Sequence, residues 1–398
     1  MRTVKRNSIL TSLLALTGGV LLAGAAQAAV TSTNPTGLVI FPKLLVDGSI
    51  EQDTIIQLTN TSDQLIRVRC YLVNANSHCS NDPTEVCSER EDCCPPDDPT
   101  CGAFCLPGWT ETDFRFTLTK FQPIGWRIGE GLQDFPLDGI TGITQDGQFN
   151  QDSNIPPAPE DPFIGELKCF QVDEGDNPVA RNDLKGEATI FIDDDEEFGF
   201  DVNKYNGIGL KATDTNDGND VLCLGGTEPT DVCPVPEYAG CPNIVILNHF
   251  FDNAPEAVNG NIVTTRLTLV PCSEDFLFQS TFKITVQMLI FNEFEQRLST
   301  SRRIECLEDI QLSDIDTRPT PDDNQASIFN IAVQGTIAGQ TRLRSVQTSD
   351  QVLGTGIVGV ATESYFSFET LDFLATDSFN LHQAGIRDQG DVIYAPRE

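Results

Sequence analysis

The chain has 398 residues, 59 acidic against 25 basic side chains, a formal net charge of −34 and thirteen cysteines. That acidity sets nucleic acid aside as a partner, because phosphate binding needs a basic face, and it disfavours an anionic membrane surface for the same reason. The length allows two or three domains of about 100–200 residues each.

Residues 1–28 read as a secretory signal: Arg2, Lys5 and Arg6 form the charged start, residues 9–22 the apolar run, and Ala26-Gln27-Ala28 a small-residue cleavage site. Leu22-Ala23-Gly24 is followed by Ala25, not by the cysteine that a lipoprotein signal requires. No later apolar run approaches the roughly 20 residues that span a bilayer. The expectation is an exported protein, secreted, periplasmic or at the cell surface, with no membrane insertion after signal cleavage.

Residues 38–46 (LVIFPKLLV) form a strand interrupted by Pro42, which places it at an edge or a bend because proline cannot donate to a ladder. In residues 54–74, Ile56 and Leu58 alternate with Gln57 and Thr59. Asn60-Thr61-Ser62-Asp63 then supplies a turn, and Ile66, Val68, Cys70 and Leu72 resume the alternation. Period-2 patterning on both sides of a turn means two half-buried strands. Asn60-Thr61-Ser62 also fits the N-glycosylation pattern and is read here as a turn.

Six cysteines follow in residues 79–105: Cys79, Cys87, Cys93, Cys94, Cys101 and Cys105, separated by Pro, Asp, Glu and Ser with almost nothing to bury. Such a segment needs cross-links to become ordered, and a disulfide-stapled insertion is expected. Its single, single, double, single, single order resembles the framework of small cystine-knot peptides, and six cysteines permit 15 pairings. Residues 113–121 alternate clearly, with Phe114, Phe116 and Leu118 on one face. Residues 133–162 are rich in Gly, Pro, Asp and Asn and form a loop. Strands resume at 165–172, which holds Cys169, and at 184–192. The acidic run Asp193-Asp194-Asp195-Glu196-Glu197 opens an irregular region reaching Cys241, and the domain boundary is placed there: residues 29–200 and 201–398.

The second half repeats the plan of the first. Leu38-Val39-Ile40-Phe41 is matched by Ile244-Val245-Ile246-Leu247. Ile66, Val68, Cys70, Leu72 and Asn74 are matched by Ile284, Val286, Met288, Ile290 and Asn292. Phe114, Phe116, Leu118, Arg127 and Ile128 are matched by Phe329, Ile331, Val333, Arg342 and Leu343. Three matches in one order suggest an internal duplication. With no sustained apolar stripe of helical period outside the signal, the fold class is all-β: two tandem immunoglobulin-like β-sandwich domains with a disulfide-rich loop insertion.

The phrases DTIIQLTNTSDQ, GELKCFQVD, LKGEATI, LVPCSED and FNEFEQRLS make the chain resemble an uncharacterised family of secreted Gram-negative bacterial β-sandwich proteins. The resemblance implies a secreted sandwich protein and carries over no activity and no site residue.

Little in the sequence announces chemistry. His78, His249 and His382 are far apart, and neither H-E-x-x-H nor G-x-S-x-G occurs. Outside the stapled insertion, Cys70 and Cys169 are candidates for a bridge pinning the two layers of a sandwich. Cys272 and Cys306 flank a long strand and could tie its ends, and two of Cys223, Cys233 and Cys241 could close the central loop. Thirteen is odd, so one thiol stays free or pairs with another chain. Calcium is the metal to consider, on Asp193 and Asp195 or on Asp214, Asn216 and Asp220, although the glycine of the second run comes one place early for an EF-hand loop; apart from this, no cofactor is expected. Trp109 and Trp126 could stack on a sugar or fill a core.

The functional expectation is a non-enzymatic binding or structural protein that meets an envelope protein, an extracellular protein or a glycan through its sandwich loops, the stapled loop included. The alternatives are an extracellular hydrolase or carbohydrate-binding protein, and a periplasmic assembly chaperone that lends a strand.

Overall fold

A computed structural model describes residues 30–87, 90–94, 101–132, 155–194, 199–213, 218–226, 231–254, 260–280, 282–319, 325–346, 354–384 and 390–396. The expected signal, residues 1–28, lies outside them, as do Asp195, Asp214 and Asn216. The described residues are mostly strand with very little helix, and apart from the parallel pairing of Glu274–Asp275 with Asp391–Tyr394 the strands pair antiparallel.

The principal strands of the first half are β1 (Leu38–Val46), β2 (Gln52–Asn60), β3 (Ile66–Asn74), β4 (Thr110–Leu118), β5 (Pro123–Arg127), β6 (Phe163–Val172), β7 (Leu184–Asp194), β8 (Gly199–Asn206) and β9 (Ile208–Leu210). They make a six-stranded sheet, ordered Val30–Thr31, β9, β1, β6, β3, β4, facing a four-stranded sheet ordered β8, β7, β2, β5. The second half has β10 (Ile244–Phe250), β11 (Ile262–Pro271), β12 (Lys283–Asn292), β13 (Arg297–Glu305), β14 (Glu308–Gln311), β15 (Ala338–Val346), β16 (Ile357–Phe366), β17 (Phe373–Asn380) and β18 (His382–Ala384). Its sheets run β18, β10, β15, β12, β13 and β17, β16, β11, β14. Raising each label of the first sandwich by nine gives the second, so both halves share one strand order.

Two of the three sequence matches fall on equivalent strands, β1 with β10 and β3 with β12. The third does not. Phe114, Phe116 and Leu118 lie in β4, whereas residues 329–333 enter a short helix, α1 (Ile331–Gln334). The Asn330 side chain caps α1 by accepting from the Ala332 amide at 2.9 Å, and Gly335, at φ 67°, ends it in the left-handed conformation. Arg127 and Arg342 likewise lie in non-equivalent strands, β5 and β15. The division expected at residue 200 falls inside the first sandwich, because β8 pairs with β7 and β9 with β1.

Pro42 sits at a bend inside the sheet. Gly165 pairs with Leu44 and Leu167 with Phe41, so Glu166 faces both Pro42 and Lys43 across a bulge. The extra residue relieves proline of a ladder donor it does not have.

Each sandwich has its own core. Val39, Ile56, Val68, Phe116, Trp126, Leu167 and Ile190 belong to the first, and Val245, Leu267, Val286, Ile290, Phe329 and Leu343 to the second. A third core joins them. The outer face of the six-stranded sheet, with Leu38, Ile40, Tyr71, Val73, Phe170 and Ile208, packs against Val270, Cys272, Phe276, Val358 and Ile393 of the second half. Tyr71 stacks on Phe276 with ring centroids 4.1 Å apart and parallel planes, and Trp109 lies 5.9 Å from Phe276 on its other flank. Cover on both faces explains why β1 and β3 are buried along nearly their whole length. The C-terminal strand Asp391–Tyr394 pairs with Val221–Leu224 and with Glu274–Asp275, closing the joint.

The four-stranded sheets also meet at their edges, where the Asn203 amide donates to Thr376 at 2.5 Å and the Asn380 amide to the Asn206 carbonyl at 2.7 Å. Side chains thus cover two strand edges that would otherwise invite pairing with another chain. Nearby, Lys43 Nζ reaches Thr362 at 3.1 Å and Asp309 at 3.5 Å, and Asp309 also binds Arg266 at 2.8 Å. Burial works against ionised Asp309, but Lys43 and Arg266 hold its carboxyl below the usual range.

At one end of the second sandwich, burial pushes the Asp252 carboxyl up to about 7, against hydrogen bonds from Thr265 and Ser313. The folded state therefore holds this proton more tightly than the unfolded chain, and the associated stability is complete at low pH and drains away as pH rises from about 4 to about 7. Asp252→Asn is expected to be more stable than the parent at pH 8 by on the order of 2–4 kcal/mol and to lose that advantage at pH 4, as thermal melts at the two pH values would show.

Candidate binding face

The solvent face of the second sandwich's five-stranded sheet carries a groove of about 780 Å³. Register builds it row by row. Ser301, Gln287, Arg344 and Ile244 stand side by side across β13, β12, β15 and β10, and Ser299, Leu289, Arg342 and Ile246 form the next row, which His382 extends on β18. Alternation puts Arg342 and Arg344 outward while Leu343 and Ser345 point in. Neither arginine has an ion pair with another described residue. One carboxylate, Asp316, also lines the groove.

A second groove, of about 490 Å³ on the first sandwich, makes the contrast. Its two arginines are neutralised in place, Arg67 by Glu174 at 3.2 Å and Arg115 by Asp176 at 2.6 Å. Positive charge is left open on one face of the second sandwich in a molecule that is otherwise strongly acidic.

The joint between the sandwiches holds a buried charged cluster that alternation alone assigns to solvent. In β6, Leu167 and Cys169 face the first core, so Glu166 and Lys168 face outward, where the second half covers them. Lys168 Nζ lies 2.7 Å from Glu166 Oε1 and 3.1 Å from Glu274 Oε1, and Trp109 Nε1 donates to Glu274 Oε2 at 3.1 Å. All three charged side chains are at most 1% exposed. Burial pushes the Glu274 carboxyl up to about 8, with Glu166 adding to the shift and Lys168 opposing it. Burial works against the charge on Lys168, but its two carboxyl neighbours raise its affinity for the proton.

Cys70 is bonded to Cys169, its direct cross-strand neighbour in β3 and β6, so the bridge lies within one sheet and does not pin two layers together. Cys223 is bonded to Cys233. The expected tie between Cys272 and Cys306 does not form: Cys272 is bonded to Cys241, and Cys306 is a buried free thiol that burial holds well above the usual thiol range. In the insertion the bonds are Cys79–Cys93, Cys87–Cys105 and Cys94–Cys101. The Cys94–Cys101 bond lies wholly within the span closed by Cys87–Cys105, so the arrangement differs from a cystine knot. These half-cystines and Ala103 make a small core of their own.

The insertion is anchored at its base by Glu160, which accepts from Asn74 at 2.5 Å and Asn76 at 2.7 Å and lies 2.9 Å from His78 Nε2. His249 is buried against Thr341, and burial lowers its pKa to about 4. Trp109 and Trp126 are both buried, so neither offers a sugar a stacking surface. Asp193 lies in β7 opposite Phe200, and Asp220 precedes the strand Val221–Leu224; the other calcium candidates fall outside the described residues. Among the described residues no helix is long and apolar enough to cross a membrane. Six disulfides fit an oxidising compartment outside the cytoplasm.

Arginines 342 and 344 escape a reading of the sequence for sites because alternating Arg and Leu is what any half-exposed strand shows; the signal is that neither has a carboxylate partner among the described residues, which only the fold reveals. Compared with known proteins, the chain matches no family model and no curated protein.

Proposed function

We propose that this is an exported, non-enzymatic binding protein whose rigid two-sandwich body presents the Arg342 and Arg344 face to an acidic glycan. The observation that carries the reading is the pair of arginines, adjacent on one strand and without an ion pair among the described residues, in a chain of net charge −34. Their neighbours Gln287, Ser299 and Ser301 offer hydrogen bonds, and Leu289, Ile244 and Ile246 an apolar floor. An apolar floor flanked by two arginines and by hydroxyl and amide side chains suits the apolar face, the hydroxyls and the carboxylates of an acidic sugar. A non-enzymatic role is supported by the histidines: His249 is committed to the core, His78 to Glu160 and His382 to an outer strand, so they do not converge.

The strand-lending alternative has less support, because the long open edges β4 and β13 carry Glu111, Asp113 and Arg115 and Arg297, Arg302 and Arg303, and charged edges resist pairing.

Retention on an immobilised uronic-acid polysaccharide tests the proposal. The protein should be retained at low salt, released as salt is raised, and not retained on neutral dextran. Arg342→Ala with Arg344→Ala should weaken retention at least about tenfold while leaving the melting temperature unchanged. Equal retention of parent and variant would overturn the assignment of the face.

A further inference from the structure

Lys168 presents its amine to two buried carboxyls, one on its own strand and one from the other half of the chain. We propose that Lys168 and Glu274 become joined by an amide bond that forms within the folded protein, with Glu166 as the proton acceptor, so that the two sandwiches are covalently bolted at their joint. The proposal concerns the scaffold and is independent of which ligand the arginine face takes.

The geometry supplies each part. Nζ of Lys168 is 3.1 Å from Oε1 of Glu274, within reach of an attack on its carboxyl carbon, and folding holds the two groups together at high effective concentration. Trp109 Nε1 donates to the other oxygen of Glu274 at 3.1 Å, where negative charge develops as the carboxyl becomes tetrahedral. Glu166 Oε1 is the closest acceptor to the amine, at 2.7 Å, and its Oε2 has no hydrogen-bond partner among the described residues, which leaves it open to receive a proton. The aromatic rings of Tyr71, Phe276 and Trp109 help enclose the joint, and the burial of all three reacting side chains keeps out the water that would favour the free acid. Burial, with Glu166 beside it, favours the neutral form of Glu274, the form in which a carboxyl can acylate an amine.

The Lys168 ammonium gives one proton to the Glu166 carboxylate, and the resulting amine attacks Cδ of protonated Glu274. The Nζ–Cδ bond forms, the Cδ–O bond to the hydroxyl breaks, and that hydroxyl leaves as water with a second proton from nitrogen. Lys168⁺, Glu166⁻ and neutral Glu274 thus become a neutral amide, a neutral Glu166 and one water. No oxidant or further reactant enters, and the buried charges of the starting cluster disappear. Removing them is favourable because an ion pair in a dry interior carries a desolvation cost that its mutual attraction only partly offsets.

Mass spectrometry of the exported protein, reduced and alkylated, tests this directly. The expected mass is one water below that of the processed sequence, and trypsin should release one branched peptide containing Lys168 and Glu274, with no cleavage after Lys168. Lys168→Arg and Glu166→Gln should each show the full mass while retaining the six disulfides of the parent. Full mass in the folded parent, with ordinary cleavage after Lys168, would overturn the proposal. A water lost in Glu166→Gln as completely as in the parent would overturn the role given to Glu166.

Discussion

Replacing Phe276 by alanine is expected to cost about 3–5 kcal/mol and to separate the unfolding of the two sandwiches. Phe276 is buried, stacks face to face on Tyr71 at 4.1 Å and flanks Trp109, so it places an aromatic ring from the second half against the outer face of the first sheet. Because the two inner cores are distinct from this third cluster, the loss falls on the joint and not on either sandwich. Urea unfolding followed by fluorescence and by circular dichroism should give coincident curves for the parent and divergent ones for Phe276→Ala. Phe278, two residues on and 77% exposed, is the control: its alanine variant should stay within about 0.5 kcal/mol of the parent. Indistinguishable effects at the two positions would mean that the joint contributes little.

The second large effect is expected at the bridge between Cys70 and Cys169. It closes a sequence separation of 99 residues inside the first core, and in the chain-entropy account a loop of that length stabilises by up to about 4.7 kcal/mol. Replacing both by alanine should lower the stability of the first sandwich by about 3–5 kcal/mol, measured by chemical unfolding under oxidising conditions. Replacing Cys94 and Cys101, whose bond belongs to the insertion's separate small core, should leave the main transition in place. A larger effect from the second pair would show that the insertion supports the sandwiches more than its own cross-links indicate.

Much of this architecture is legible in the alternation of single strands. Ile66, Val68, Cys70 and Leu72 mark the inward face of β3, and Phe114, Phe116 and Leu118 that of β4. What period-2 patterning cannot say is whether the other face of a strand meets water. Glu166 and Lys168 look like solvent-facing residues of β6, and Tyr71 like a surface aromatic of β3, until the second half is seen to cover that sheet.

Cysteine spacing is similarly silent on partners. Cys272 and Cys306 flank β12 in sequence, yet Cys241, from the segment leading into β10, is the residue that meets Cys272. The apolar beat of residues 329–333 misleads for a local reason, since Asn330 caps a helix that Gly335 ends after one turn. The candidate site follows the same rule. Its arginines stand in the sequence for anyone to see, but that neither has an ion pair with another described residue follows from the strands beside them.

Hydrogen exchange with and without a uronic-acid oligosaccharide should show slowed exchange on β12, β13 and β15, around Gln287, Ser299 to Ser301 and Arg342 to Arg344, and at Ile244 of β10, with residues 79–105 unchanged. Protection in the disulfide-stapled insertion, or none on those three strands at saturating oligosaccharide, would contradict the assignment of the arginine face.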